Sequence, residues 1–293
     1  MAAYTSFRAG GRAKALIRPQ DPEELRVILR MLSDAKIPHL LLGNGSNVLF
    51  RDSGYDGAVI KMENFEEILR PPFPDFPAVT LEKNFCENGI CAACGVSMSA
   101  LAKALQRDGL TGFEFAGGIP GTLGGGLFMN AGAYGGELKD VVRGVLAVSP
   151  DGREERFFTG EQMQFGYRRS VLQDNGYLAL YAFLQFSKGD PETIAETMRD
   201  LNQKRSSRQP VQYPSAGSTF KRPEGYFAGK LIEDAGLKGV AVGGAQVSTL
   251  HSGFIINRGG ASATDILQLI RLVQNTVYDR FGVMLEPEVR IIG

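Results

Sequence analysis

Residues 116–126, AGGIPGTLGGG, followed by residues 130–135, NAGAYG, are the stretch on which the fold of this chain turns. From Gly112 to Gly136 the sequence carries ten glycines in 25 residues. Glycine weakens an ordinary helix or strand because it has no side chain to pack and more freedom to lose. A run this dense makes sense where main chain must lie flush against a flat cofactor or a pyrophosphate, with Thr122 and Asn130 adding polar contacts. A glycine-rich structural bend is the plainer alternative.

A second glycine turn lies upstream. Residues 39–42, HLLL, form a short apolar run that predicts a buried strand, and it feeds directly into Gly43-Asn44-Gly45-Ser46-Asn47. A strand ending in such a turn gathers backbone N–H groups on one concave surface, suited to phosphate oxygens. Ser46 and Asn47 add side-chain donors. The turn departs from the dinucleotide fingerprint, since Val48 stands where a third glycine is required, and no Gly-Lys-Ser/Thr P-loop is present. Taken alone, it reads equally well as a plain tight turn.

Glycine accounts for 37 of 293 residues, without a Gly-X-Y period. The length allows two or three structural units. Lys plus Arg and Asp plus Glu balance at 32 each, so no summed field exists to hold nucleic acid or an anionic membrane. An anionic ligand must be gripped locally. The longest wholly apolar run, residues 177–184, is far short of the roughly 20 residues of a spanning helix. The opening MAAYTSFRAGG lacks the layout of a secretory signal, and a cytoplasmic location is expected. Cys86, Cys91 and Cys94 have a spacing that superficially matches part of an iron–sulfur set. With no fourth cysteine, and only His39 and His251 as histidines, they read as free thiols and no metal site is expected.

Along the chain, Asp21-Pro22-Glu23-Glu24 starts a helix whose apolar face is Leu25, Ile28, Leu29 and Leu32. Residues 48–50 and 58–60 predict the next strands, and the Pro-rich 71–79 a connector. Residues 97–105 have helical spacing. Residues 141–149, 156–158 and 177–186 read as strands, and 191–205 as a charged helix followed by a linker at 208–214. A short helix is expected at 228–235 and a strand at 253–257. Ser262-Ala-Thr-Asp265 opens the last helix as a capping box, Gly282 stops it, and a final strand runs to Gly293. That strand's alternation places Glu286, Glu288 and Arg290 on one face. Pro287, lacking an N–H, argues for an edge or a cleft.

The two glycine-rich segments occur in order with Tyr167-Arg168-x-Ser170, Ser215-x-Gly-Ser218-x-Phe220 and Leu285-Glu-Pro-Glu288-Val-Arg. This ordered set, from about Thr5 to Gly293, resembles the UDP-N-acetylenolpyruvoylglucosamine reductases. The resemblance implies an α+β fold of the vanillyl-alcohol oxidase type, in which two subdomains hold FAD and a C-terminal α+β domain closes over substrate. Residues 1–75 and 76–205 are the expected FAD-binding subdomains and 206–293 the substrate domain. It also implies NADPH as co-substrate, a sugar-nucleotide substrate in peptidoglycan precursor synthesis, and a monomer. FAD is expected against Gly43, Asn44, Gly45, Ser46, Asn47, Gly117, Gly118, Pro120, Gly121, Thr122, Gly125, Asn130, Ala131 and Gly132. It is expected to be non-covalent, because the 43–47 loop holds no histidine and His39 precedes it in the strand.

Hydride addition to the terminal carbon of an enolpyruvyl ether pushes charge into a carboxylate already charged. By resemblance Arg168 stabilises that charge, since a guanidinium is permanently cationic and grips a carboxylate at two points. Ser218 is the implied proton donor to the resulting enolate, and Glu288 the acid that orients it. Tyr167, Lys221, Lys230 and the His251-Ser252-Gly253 turn are expected sugar-nucleotide contacts. The family's Tyr-bearing insertion has no room between Gly176 and Asp200, so this is the shorter form. Two other readings share these features: an FAD-dependent oxidase of a small alcohol or sugar, and a non-catalytic nucleotide-binding module.

Overall fold

The computed structural model describes residues 1–79, 85 and 87–293. Its helices in chain order are α1 (Pro22–Asp34), α2 (Met98–Arg107), α3 (Leu123–Met129), α4 (Leu172–Asn175), α5 (Pro191–Arg208), α6 (Ala228–Asp234) and α7 (Ala263–Phe281). Among the described residues no helix is long and apolar enough to cross a membrane. The chain divides into two compact units, one of residues 1–14, 44–57 and 204–293, the other of residues 15–43 and 58–203.

The larger unit is built on a five-stranded antiparallel sheet. Its order is Glu155–Thr159, Val142–Val148, Leu178–Gln185, Gly89–Ala93, Ile68–Leu69. The central strands follow from apolar runs with residues buried on both faces. On one face Leu101, Leu105, Leu123, Leu127 and Phe113 join Val145, Ala182 and Leu184 in the largest core cluster. Leu25, Leu29 and Leu32 of α1 close a second cluster with Ile60, Val148 and Leu180. Complete burial of each such leucine contributes about 2 kcal/mol. The helix begins where the sequence signals it: the Asp21 side chain accepts from Glu24 N at 2.8 Å, with Pro22 at the first helical position.

Residues 71–79 are irregular, as expected of a connector, yet they are anchored by aromatic packing. Phe73 lies 5.5 Å from Phe85 and Phe76 5.5 Å from Phe183, ring centre to ring centre. Gly89–Ala93 is a fully buried strand carrying Cys91, an element the sequence reading did not assign. Burial beside the Glu67 carboxylate pushes the Cys91 thiol up to about 12, and burial likewise raises Cys94. Both are inert structural thiols. Cys86 lies outside the described residues.

In the smaller unit, Ala241–Val242, Ala245–Val247 and Ile255–Asn257 form an antiparallel meander. Ile266, Leu269, Ile270, Val273 and Val277 of α7 pack with Leu231 and Ile232 of α6 and with Val247 and Ile255 of that meander. The Ser262–Asp265 capping box is present with both of its hydrogen bonds. Arg290–Ile292 pairs in parallel with Val48–Phe50. The final strand is therefore shorter than its alternation suggests, beginning only at Arg290. Pro287 instead makes an isolated antiparallel bridge with Phe220. Around it Lys221 N donates to Glu286 O and Glu288 N to Thr219 O, both at 2.8 Å. At that position of an antiparallel pair the ladder asks no N–H of Pro287.

Candidate functional site

The first glycine turn is shaped by contacts that leave no room for a side chain at either of its glycines. A Cβ on Gly43 would lie 2.4 Å from Thr122 Oγ1, which places the start of this turn against the second glycine-rich stretch within the larger unit. Gly45 has φ +64°, and a Cβ there would lie 2.1 Å from the Tyr4 carbonyl. Only glycine fits. Ser6 N donates to Gly45 O at 3.0 Å and fixes the turn. Asn44 is exposed and Ser46 half-buried. The Asn47 side chain, expected on a ligand, instead donates to the Glu288 carbonyl at 3.2 Å. Its own carbonyl accepts from Arg290 N at 3.0 Å.

The second stretch contains α3, an element the glycine count did not suggest. Thr122 caps it by accepting from Gly125 N at 3.3 Å. Gly124 and Gly126 are needed for packing: a Cβ on the first would lie 3.0 Å from Cys94 O, and on the second 2.8 Å from Leu138 Cδ1. Gly125 is different, being exposed, with only the Thr122 hydroxyl near its Cβ position. Pro120 is also exposed, while Gly117, Gly118 and Gly121 are half-buried. Main chain free of side chains at Gly43 and Gly125, on either side of the Thr122 hydroxyl, fits a flat, phosphate-bearing cofactor.

Asn130 ends α3 in the left-handed conformation and is fully buried. Its amide nitrogen donates to Glu137 Oε2 and to Gly166 O, both at 2.9 Å, and its oxygen accepts from Lys139 N at 3.0 Å. The side chain expected to reach a ligand is thus engaged with protein. Ala131 and Gly132 follow, and Gly132–Ala133 pairs with Gly136–Glu137 across a Tyr134-Gly135 turn of positive φ at both residues. A hydrogen bond from Lys139, outweighing partial burial, holds the Glu137 carboxyl below its ordinary value, with smaller help from Asn130 and the Arg168 charge.

Arg168 sits in a turn closed by hydrogen bonds between Gly166 and Arg169, at 3.0 and 3.2 Å. Its φ is +56°. The guanidinium donates to Gly132 O at 3.4 Å and stacks over the Tyr167 ring at 5.1 Å. Tyr167 is half exposed. Arg169, by contrast, pairs with Asp174 at 2.9 Å on the surface, so the two adjacent arginines are distinguished by structure. Ser170, fully buried, donates to Phe128 O at 3.0 Å. The whole Tyr-Arg-x-Ser motif is hung on the C-terminal end of α3.

In the smaller unit the segment containing Ser218 is stitched on both sides. Thr219 N donates to Gly253 O at 2.8 Å, and Thr219 Oγ1 accepts from Ile255 N at 3.0 Å. On the other side Thr219 O accepts from Glu288 N. Ser218, exposed between buried Ala216 and Thr219, is therefore one residue from the backbone bond that positions half-buried Glu288. Lys221 is paired with Glu286. Lys230 belongs to a surface pair with Asp234 one helical turn on. Burial lowers the His251 imidazole below its ordinary value, and its Nδ1 accepts from Gly253 N at 3.1 Å. The ring nitrogens of His39 face the carbonyls of Ile37 and Pro150. Among the described residues no cluster of three metal-ligating side chains occurs.

Residues missed by motif reading are Gln173 and Glu137. Neither type carries a distinctive signal at these spacings, although Glu137 does stand three residues before Asp140 as half of a capping box.

Residues 13–157 match the family model of an FAD binding domain, and residues 209–292 that of the UDP-N-acetylenolpyruvoylglucosamine reductase C-terminal domain. The chain is 48% identical to the UDP-N-acetylenolpyruvoylglucosamine reductase of Alkaliphilus oremlandii over 99% of this chain and 90% of that one. It is also 48% identical to the enzyme of the same name from Clostridioides difficile, over 100% and 91%. A crystal structure of UDP-N-acetylenolpyruvylglucosamine reductase from Thermus caldophilus superposes with a TM-score of 0.80 at 32% identity, covering 100% of this chain and 97% of that chain. The chain therefore belongs to the UDP-N-acetylenolpyruvoylglucosamine reductase family of flavin-dependent oxidoreductases.

Proposed function

We propose that this chain uses NADPH and non-covalent FAD to reduce UDP-N-acetylenolpyruvoylglucosamine to UDP-N-acetylmuramate, supplying peptidoglycan precursor in the cytoplasm. The observation that carries the reading is the Ser218–Thr219–Glu288 arrangement inside the segment that matches the reductase's C-terminal domain. As part of the same proposal, residues 1–75 and 76–205 are the two FAD-binding subdomains and 206–293 the substrate domain.

Once bound and reduced, FAD would supply a hydride to the terminal carbon of the enolpyruvyl double bond. The electron pair of that bond moves onto the neighbouring carbon and its carboxylate. Arg168 meets the growing charge with a guanidinium that cannot lose its proton, and a preorganised donor of this kind is worth about 3 kcal/mol of barrier. Ser218 donates its hydroxyl proton to the carbanionic carbon, giving the lactyl ether. Glu288 orients the serine, and the serine alkoxide left after the transfer takes up a proton from solvent, which restores the resting state. Gly43 and Gly125 admit the cofactor's flat surface, while Tyr167 and Lys221 hold the sugar nucleotide. A weak acid such as serine suffices because the enolate is far more basic than the alkoxide left behind.

Anaerobic mixing tests this directly. NADPH is expected to bleach the flavin, and the enolpyruvyl sugar nucleotide to restore its colour. Replacing Ser218 with Ala should slow the second step by about 10²-fold or more and leave the first unchanged. A Ser218→Ala enzyme with full reoxidation rate refutes the donor, and a wild-type flavin that oxygen reoxidises but the enolpyruvyl sugar does not refutes the function.

A further inference from the structure

We propose that Gln173 is a positioning residue for Arg168, its side-chain amide tying the arginine's own carbonyl to the end of the glycine-rich helix. The inference rests on the role given to Arg168 above and adds a residue outside every motif used to reach it.

Gln173 Nε2 donates to Arg168 O at 3.0 Å and to Phe128 O at 2.7 Å, which uses both of its N–H bonds. Its Nε2 also lies 3.8 Å from Met129 Sδ. Phe128 belongs to the last turn of α3, where carbonyls lack intrahelical partners. The same carbonyl accepts from Ser170 Oγ at 3.0 Å. At the other end of the turn, Asn130 Nδ2 holds Gly166 O at 2.9 Å. The segment 166–170 is thus fastened to α3 and its cap by three side chains, and Gln173 is the one that grips Arg168 itself.

Arg168 needs such a grip because its φ of +56° belongs to a region that residues with a side chain seldom occupy. Conformations of this kind persist where the surroundings over-determine them. Glycine or asparagine would take the turn without strain, but neither carries a guanidinium. Gln173 reconciles the two demands. It also links the cation to the flavin-binding main chain, since α3 carries Gly125 and the guanidinium donates to Gly132 O at 3.4 Å. Loss of the grip should leave flavin affinity intact and misplace the charge that the reduced substrate needs.

The test uses the full-length, FAD-loaded enzyme reduced by dithionite, with two variants. Gln173→Met keeps length and bulk but removes both donors, and Gln173→Glu sets acceptors against two carbonyls. Reoxidation by UDP-N-acetylenolpyruvoylglucosamine is expected to slow about tenfold or more in both, as a kcat effect, since a misplacement of about 1 Å costs up to 10²-fold. The dissociation constant for FAD and the rate of flavin reduction by NADPH should stay within about threefold of wild type. Hydrogen exchange of residues 166–170 should quicken. A parallel loss of flavin binding and of both half-reactions would mean that Gln173 only supports the fold, and unchanged reoxidation or unchanged exchange would overturn the proposal outright. If wild-type protein fails to react with the enolpyruvyl sugar nucleotide, the proposed function falls, yet exchange at 166–170 still decides whether Gln173 holds the turn.

Discussion

Gly124 and Gly125 are neighbours on α3 with opposite duties. Alanine is a better helix former than glycine by roughly 1 kcal/mol, so either substitution starts with a gain. At Gly124 the new methyl would sit 3.0 Å from the Cys94 carbonyl and 3.1 Å from its Cβ, on a buried strand end that cannot yield. At Gly125 it meets only the Thr122 hydroxyl, at 3.5 Å. We therefore expect Gly124→Ala to destabilise the flavin-free protein by about 1–2 kcal/mol, and Gly125→Ala to stabilise it, raising Tm by about 2–3 °C. The same Gly125→Ala methyl should weaken FAD about tenfold or more by standing where main chain meets the cofactor. Thermal melts and flavin titrations decide it, and a Gly125→Ala protein that binds FAD as wild type does would move the cofactor surface elsewhere. At this scale the sequence reading singled out the glycine segments without showing where their individual amides point. Asn47 and Asn130 look like ligand contacts because an amide in a glycine loop could face either way. Only the fold reveals that Glu288 O takes the first, and Glu137, Gly166 and Lys139 the second.

Among the elements, α7 shows how a distant residue can complete a helix. Asp52 accepts from Ala263 N at 2.9 Å, Thr264 N at 2.8 Å and Thr264 Oγ1 at 2.6 Å, beside the local Ser262–Asp265 box. Partial burial pushes the Asp52 carboxyl up, but the hydrogen bonds from Thr264 and Ala263 outweigh it and hold it below 3.8. A folded value below the unfolded one stabilises the protein above pH 3.8, and that contribution fades as pH falls through the folded value. Asp52→Asn should cost about 1 kcal/mol at pH 7, a typical capping loss for an exposed site. Its denaturation midpoint should draw toward that of wild type only as pH falls below 3.8, and a gap independent of pH would remove Asp52 from the role. The local caps of α1 and α7 were legible because Asp21 and Ser262 act within one turn, and the apolar strands because their runs are long. The helix α3 was illegible, since three glycines in seven residues speak against a helix until packing on Cys94, Met98 and Leu138 is seen. The strand Gly89–Ala93 was hidden for a related reason: its small residues have little strand preference, and burial alone defines it.

At the scale of the molecule, two units are interleaved along the chain, which passes between them after residues 14, 43, 57 and 203. Reading from one end to the other yields serial segments, because nothing local announces that residues 48–50 will pair with 290–292. The family resemblance carried by the ordered motifs did reach the α+β class and the cofactor type, since motif order is legible without knowing which strands pair. Each unit has its own core, so a ligand held by one unit should protect that unit first. The α3 stretch and the Arg168 turn lie in the larger unit, and the Ser218 and Glu288 segments in the smaller. Saturation with FAD at about 100 times its dissociation constant adds roughly 2.7 kcal/mol to the state that binds it. We expect hydrogen exchange to slow on FAD addition across residues 116–132 and 166–173. Subsequent addition of the sugar nucleotide should slow exchange at 215–221 and 286–288. If FAD instead protected 286–288 as strongly as 116–132, or the sugar nucleotide left 215–221 unchanged, the allotment of cofactor and substrate chemistry to these segments would have to be redrawn.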